Sequence, residues 1–288
     1  MTRAAGRATV LAAVVLFSTG GAAIKACSLD GSQIASLRAL VAGLFLFVIL
    51  PEVRTRWTWR SWLVGSAYAA TLTLYVLAMK TTTAANAIFL QSTAPLYLLV
   101  LAPWLLGERI RRRSIGLMVV LAAGLVLLLA GGEPPRATAS DPLLGNLLGA
   151  LCGATWALTL LGLRWLGVTG GEGRDTGASA VVAGSLLACV VCLPWTFPLG
   201  AVRAVDGLLI LYLGVVQVGL AYVLLTRGMR VVPAFQASLL ILLDPVLNPI
   251  WAFALHGERP ARLALIGGAL ILVATAADAW LSAQERRA

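Results

Sequence analysis

Ten stretches of the chain run on with almost no charge: 8–26, 31–50, 61–79, 84–106, 114–131, 143–163, 178–198, 207–226, 234–255 and 263–281. A helix needs about 20 apolar residues to cross a hydrocarbon core, so each stretch is a predicted membrane span. Transmembrane strands would show alternating segments of roughly 10 residues instead of unbroken apolar runs. The expected fold is therefore all-α, a polytopic membrane protein with ten transmembrane helices. Most connections are short, and the longest fall at 132–142, with its Pro134-Pro135 pair, and at the glycine-rich 167–177. The opening stretch, with Arg3 and Arg7 ahead of an apolar run, has the outline of a signal peptide. It also has a counterpart inside the chain, which favours a retained span.

Composition narrows the class further. Of the 288 residues 60% are hydrophobic and only 12% charged, and the mean hydropathy is +0.91. Soluble domains carry roughly 45 to 50% apolar and about 25% charged residues, so a soluble globular enzyme is excluded. Four cysteines and an apolar-dominated chain also exclude a disulfide scaffold and a disordered polymer.

The net charge is +10, but no continuous basic domain exists to make a nucleic-acid surface. The charge reports orientation instead. With the N-terminus inside, fifteen basic residues fall on inside loops and tails against six outside, and Arg38 lies within a span. The positive-inside rule then puts both termini in the cytoplasm. The bias is strong in the first half and weak in the second.

An internal repeat accounts for that asymmetry. A shift of 150 residues lays Met79–Arg112 on Met229–Arg262 without a gap, with eleven of thirty-four positions identical. Pro95 falls on Pro245, and Gly107-Glu108-Arg109 on Gly257-Glu258-Arg259. Upstream, a shift of 139 pairs Phe17 with Trp156. The expected organisation is a first five-helix repeat over 1–131, a linker over 132–142 and a second repeat over 143–288. Five is odd, so the second repeat enters the membrane from the opposite side. The ten helices thus form two inverted five-helix repeats, a plan that suits alternating access.

Polar and aromatic residues held within spans are the candidates for a substrate site, and in inverted-repeat carriers such sites lie near the midplane. Tyr68, Thr71, Tyr75 and Met79 recur at helical spacing on one face, and the repeat brings Tyr222 onto the equivalent of Leu72. Their rings can stack on an aromatic group while the hydroxyls meet polar ends. Phe17, Trp156, Gln91 and Gln217 are further polar or aromatic positions inside spans. Asp244 and Asn248 are four apart and share a helix face. A carboxylate at mid-membrane costs about 2.5 to 3.5 kcal/mol on insertion scales, so Asp244 should face protein, water or substrate. It could bind a substrate ammonium, exchange a proton, or serve as a buried structural group.

Pro95 and Pro245 remove helix hydrogen bonds and are expected to kink their spans as hinges. Glu108 and Glu258, each beside arginine at a helix end, are expected to act as caps or gate latches. Arg38 sits deeper than a snorkelling residue and could draw a carboxylate into an outer vestibule. Gly145, Gly149 and Gly153 have the spacing that lets helices approach closely, within the molecule or in a weak dimer.

Ten helices in two halves, each with Pro-x11-Gly-Glu-Arg before its last helix (Pro95 to Arg109 and Pro245 to Arg259), resemble the EamA family of the drug/metabolite transporter superfamily over essentially the whole chain. The opening Thr2-Arg3 and Leu16-Phe17-Ser18-Thr19 are similar to the aromatic amino-acid exporters of that family, although the family often has Trp where Phe17 stands. The resemblance implies a secondary transporter exporting amino acids and other small metabolites, with efflux of lipophilic cations as the alternative. Its expected partners are the small-molecule substrate and the lipid bilayer, with protons a further candidate and nucleic acid excluded; the protein is expected as a monomer or weak dimer. No cofactor and no metal are expected. Cys189-x-x-Cys192 has metal spacing but lies in an apolar span with a single histidine in the chain. No Walker loop, His-Glu-x-x-His or Gly-x-Ser-x-Gly is present, so enzymatic activity is not expected.

Overall fold

The computed structural model describes residues 1–54, 57–82, 84–107, 116, 118–120, 122–123, 141–169, 177–199, 202–256, 266, 269–270 and 273. Every extended element among them is helical: α1 (Arg3–Ser18), α2 (Gly20–Ala26), α3 (Gly31–Ile49), α4 (Trp59–Thr81), α5 (Ala84–Gln91), α6 (Ala94–Leu106), α7 (Pro142–Thr169), α8 (Gly177–Cys192), α9 (Ala204–Tyr212), a π-helical segment (Leu213–Leu220), α10 (Ala221–Met229), α11 (Ala234–Ile241) and α12 (Asp244–His256). Among the described residues six helical stretches are long and apolar enough to cross a membrane: Arg3–Ala26, Gly31–Ile49, Trp59–Thr81, Leu143–Val168, Gly177–Trp195 and Ala204–Met229. The chain is a polytopic membrane protein. The expected spans 114–131 and 263–281, the linker and most of the glycine-rich loop lie largely or wholly outside the described residues, as do Glu108 and Glu258.

Two expected spans are broken. The stretch 84–106 is interrupted at Ser92-Thr93, and 234–255 at Leu242-Leu243. Adding 150 to the bounds of α5 and α6 (84–91, 94–106) gives those of α11 and α12 (234–241, 244–256). The break therefore recurs at the repeat-related position. Pro95 and Pro245 were expected to kink continuous helices; they instead occupy the second position of α6 and of α12. Proline's fixed φ and missing N–H cost nothing in a first helical turn, where that N–H has no helical partner. The first span is likewise divided at Thr19. Its hydroxyl donates to the Leu16 carbonyl at 2.7 Å and accepts from the Tyr212 hydroxyl at 2.7 Å.

Hydrogen bonds fix which helix ends lie together. At one end Asp141 N–H donates to the Thr81 carbonyl, Lys80 Nζ to the Cys27 carbonyl at 3.0 Å, Ser32 Oγ to the Trp195 carbonyl, and Ser28 to Asp206. At the other end Arg7 donates to Gln236 at 3.0 Å, and Arg164 to the carbonyls of Met229 and Arg230. The glycine ladder of α7 packs inside the molecule. A Cβ on Gly145 would meet Thr82, one on Gly149 would meet Leu90, and one on Gly153 would lie 2.5 Å from the Leu90 carbonyl oxygen. Those glycines let α7 lie against the end of α4 and against α5, so this face is spent within the chain.

Candidate functional site

A cavity opens where the broken helices converge. Its walls come from α1 (Phe17), α3 (Arg38), α4 (Thr71, Leu72, Tyr75), the α5 end and first break (Gln91, Ser92, Ala94, Pro95), α7 (Trp156), the π-helical segment (Gln217, Val218), α10 (Tyr222), and the second break (Ser238, Ile241, Leu242, Asp244). Both breaks and the π-helical segment thus meet one space. Such local departures from the α-helix are characteristic of functional positions in membrane helices, because irregular backbone is tolerated there only where it lines protein or a cavity. The free space admits water centres over about 50 Å³, a handful of waters at roughly 10–15 Å³ each.

One wall is aromatic. Tyr222 is its hub, with ring centroids 5.0 Å from Phe17, 6.2 Å from Trp156 and 4.5 Å from Tyr68, all edge-on. Phe17 also meets Trp156 edge-on at 6.2 Å. The helical spacing that aligned Tyr68, Thr71 and Tyr75 does place them on one inward face. Tyr68 is fully buried behind Tyr222, Thr71 Oγ1 lies 3.2 Å from Thr159 Oγ1, and Tyr75 reaches the cavity itself.

The opposite charges lie on the same space. Asp244 begins α12, where the positive end of the helix favours a carboxylate, and accepts from Asn248 Nδ2 at 3.1 Å. Asn248 is buried under Gly21, whose absent side chain makes the contact possible: a Cβ there would sit 2.5 Å from Asn248 Oδ1. Gly20 is crowded in the same way by Gln217, with 2.5 Å to its Nε2. That nitrogen donates to the Phe17 carbonyl at 3.4 Å, and Gln217 Oε1 has no partner among the described residues. The short helix α2 thereby holds both amides in place.

Arg38 is a correction to the sequence reading. It does not stand at an outer vestibule: it is 1% exposed and lines the central cavity. The interior position was visible in the sequence as a cation deep within a span, but its facing was not. Of the residues expected at a site, Phe17, Tyr75, Gln91, Trp156, Gln217, Tyr222, Asp244 and Pro95 line the cavity. Tyr68 and Asn248 stand directly behind it, and Pro245 follows Asp244 in α12. Thr71, which the helical spacing set on the tyrosine face, lines the cavity too, as do Ser92 and Ser238, two polar residues that the sequence did not single out. All four cysteines are buried and unpaired, with Ser36 and Thr73 hydroxyls beside Cys189 and Cys192.

The EamA-like transporter family model matches residues 4–130 and 143–277. The chain belongs to the EamA-like transporter family. Its relatives include an uncharacterized transporter of Archaeoglobus fulgidus, 26% identical over 269 residues, which are 93% of each chain. A crystal structure at 20% identity shares the fold with a TM-score of 0.76, over 98% of this chain and 99% of that one. As an EamA-like protein this chain is a transporter embedded in the membrane by several apolar helices.

Proposed function

We propose that this transporter exports amino acids, aromatic ones first, across a bacterial inner membrane by alternating access between two inverted five-helix halves, 1–131 and 143–288. The observation that carries the reading is the cavity at the two repeat-related helix breaks, where the Phe17, Trp156 and Tyr222 rings stand with Asp244. Aromatic rings take a flat side chain and a carboxylate takes an ammonium. The opening residues, similar to those of the aromatic amino-acid exporter YddG, support the same substrate class.

The course of the chain supports the inversion. Helix α4 ends beside Asp141, at the same end as the Ser28–Asp206 contact, whereas its repeat counterpart, ending in α10, finishes beside Arg164 at the other end. Pro95 and Pro245 adjoin the breaks about which the alternating-access movement turns. In this reading the end carrying Arg7 and Arg164 faces the cytoplasm.

Two experiments test the proposal. Uptake of labelled amino acids and one lipophilic cation into proteoliposomes, with and without an imposed pH gradient, should give saturable amino-acid flux. Its gradient dependence separates proton-coupled antiport from facilitated diffusion, and cation flux alone would replace amino-acid export with drug efflux. Cysteine substituted for Arg111 should label only from the cytoplasm and for Arg262 only from the periplasm; labelling from one side would overturn the inversion.

A further inference from the structure

Arg38 is the buried charge that transport of a ring and an amine leaves unexplained. It lies wholly inside α3, on the wall of the central cavity. Its Nη2 donates to the Leu72 carbonyl at 2.9 Å, and its guanidinium carbon stands 5.9 Å from the centre of the Tyr75 ring. Its Nε is buried with no partner. Among the described residues no carboxylate forms an ion pair with it; the ion pair they contain is Arg203 with Asp206. Arginine does not escape this situation by losing its proton. A buried guanidinium with a single carbonyl acceptor and one ring face is under-satisfied, and such a charge is costly unless an anion completes it.

Asp244 is the complementary case on the same cavity, a carboxylate that accepts from one amide. The two do not form an ion pair with each other, so each keeps unused capacity facing the space between them. We propose that Arg38 binds the α-carboxylate of the substrate while Asp244 binds its α-ammonium, which makes the cavity selective for zwitterions over cations of the same shape. The inference rests on the amino-acid reading above and assigns the polar half of that site. An amino acid carries its two charges on groups joined through one carbon, so a cation and an anion on one wall complex fix its backbone. The Phe17, Trp156 and Tyr222 rings are left for its side chain. A lipophilic cation meets Asp244 equally well but is repelled by Arg38.

The test uses full-length protein and three probes that share a phenyl ring: phenylalanine, phenethylamine without the carboxylate, and 3-phenylpropionate without the ammonium. Binding to the unmodified transporter is measured directly by calorimetry. Phenylalanine should bind at least about tenfold more tightly than either analogue, as expected when a buried polar group is left unpaired. Arg38→Gln should remove that preference over phenethylamine, and Arg38→Lys should restore part of it. If phenethylamine binds the unmodified protein as tightly as phenylalanine while phenylalanine is transported, the Arg38 assignment fails and amino-acid export stands. If phenylalanine neither binds nor moves, both fail. Should Arg38→Gln not insert, the comparison of probes on the unmodified protein decides alone.

Discussion

Asp206 and Asp244 are two carboxylates in one apolar bundle with opposite surroundings. The side chain of Asp206 is shielded from solvent and accepts from Ser28 N–H at 2.8 Å, Ser28 Oγ at 2.7 Å, Arg203 N–H at 3.1 Å, and Arg203 Nε and Nη2 at 3.0 and 2.9 Å. Those donors come from the turn after α2 and from the residue preceding α9, so the carboxylate ties two chain segments at one end of the bundle. Arg203 in turn keeps its proton more firmly than an ordinary arginine, through hydrogen bonds to Asp206 and that residue's charge. Asp244 has one amide donor and faces a cavity. The contrast extends to the cations: Arg203 is spent on its neighbour, whereas Arg38 is not. A carboxylate surrounded by five donor contacts is complete as structure; one with a single amide and a cavity retains capacity for a ligand.

Breaking the comparison at its functional side should have the largest effect. Asp244→Asn removes the charge but keeps the shape, and it should lower amino-acid flux at least about tenfold, the worth of one charge-assisted hydrogen bond, with insertion unchanged. Flux near the unmodified level across pH would place Asp244 with Asp206 as a structural carboxylate.

At the other side, Asp206→Asn should lower the melting temperature of the purified protein by loosening the Ser28 contact. The order of preference among amino acids should not change; an altered order would show that the end contact shapes the cavity. Gly21→Ala sharpens the comparison without touching a charge. Its methyl displaces Asn248 at an overpacking cost of about 1–3 kcal/mol, and transport assays should show a weakened affinity for amino acid while uptake at saturation changes less. The smallest effect belongs to Tyr212→Phe, which deletes the 2.7 Å hydrogen bond to Thr19 at the division of the first span. It should cost about 1 kcal/mol of stability and leave substrate preference intact; a larger loss would make that division part of the moving machinery.

Much of the cavity wall is legible in the sequence. Asp244 and Asn248 were paired by a spacing of four, and they are hydrogen-bonded. Tyr75 and Tyr222 were placed on related faces by the repeat, and both line the cavity. The helix breaks were not legible, because Ser92-Thr93 and Leu242-Leu243 lie inside unbroken apolar runs and their prolines suggest a bend as readily as a restart. Nor was the division of α2 from α1, beyond which Gly20 and Gly21 leave room for the Gln217 and Asn248 side chains.

The sequence by itself determined the solvent and the family. Unbroken apolar runs of about 20 residues admit membrane helices and not barrel strands, since only helices and closed barrels satisfy their backbone in lipid and barrel strands alternate over roughly 10 residues. Pro-x11-Gly-Glu-Arg, twice in the chain, points to the EamA-like family. Only the tertiary structure decided where Arg38 goes. A helix that is apolar all round carries no stripe to say which face turns inward, so hydropathy gave the depth of the guanidinium without its direction. That direction comes from packing: α3 sets Arg38 against Leu72 and Tyr75 of α4, beside a cavity that seven chain segments enclose together.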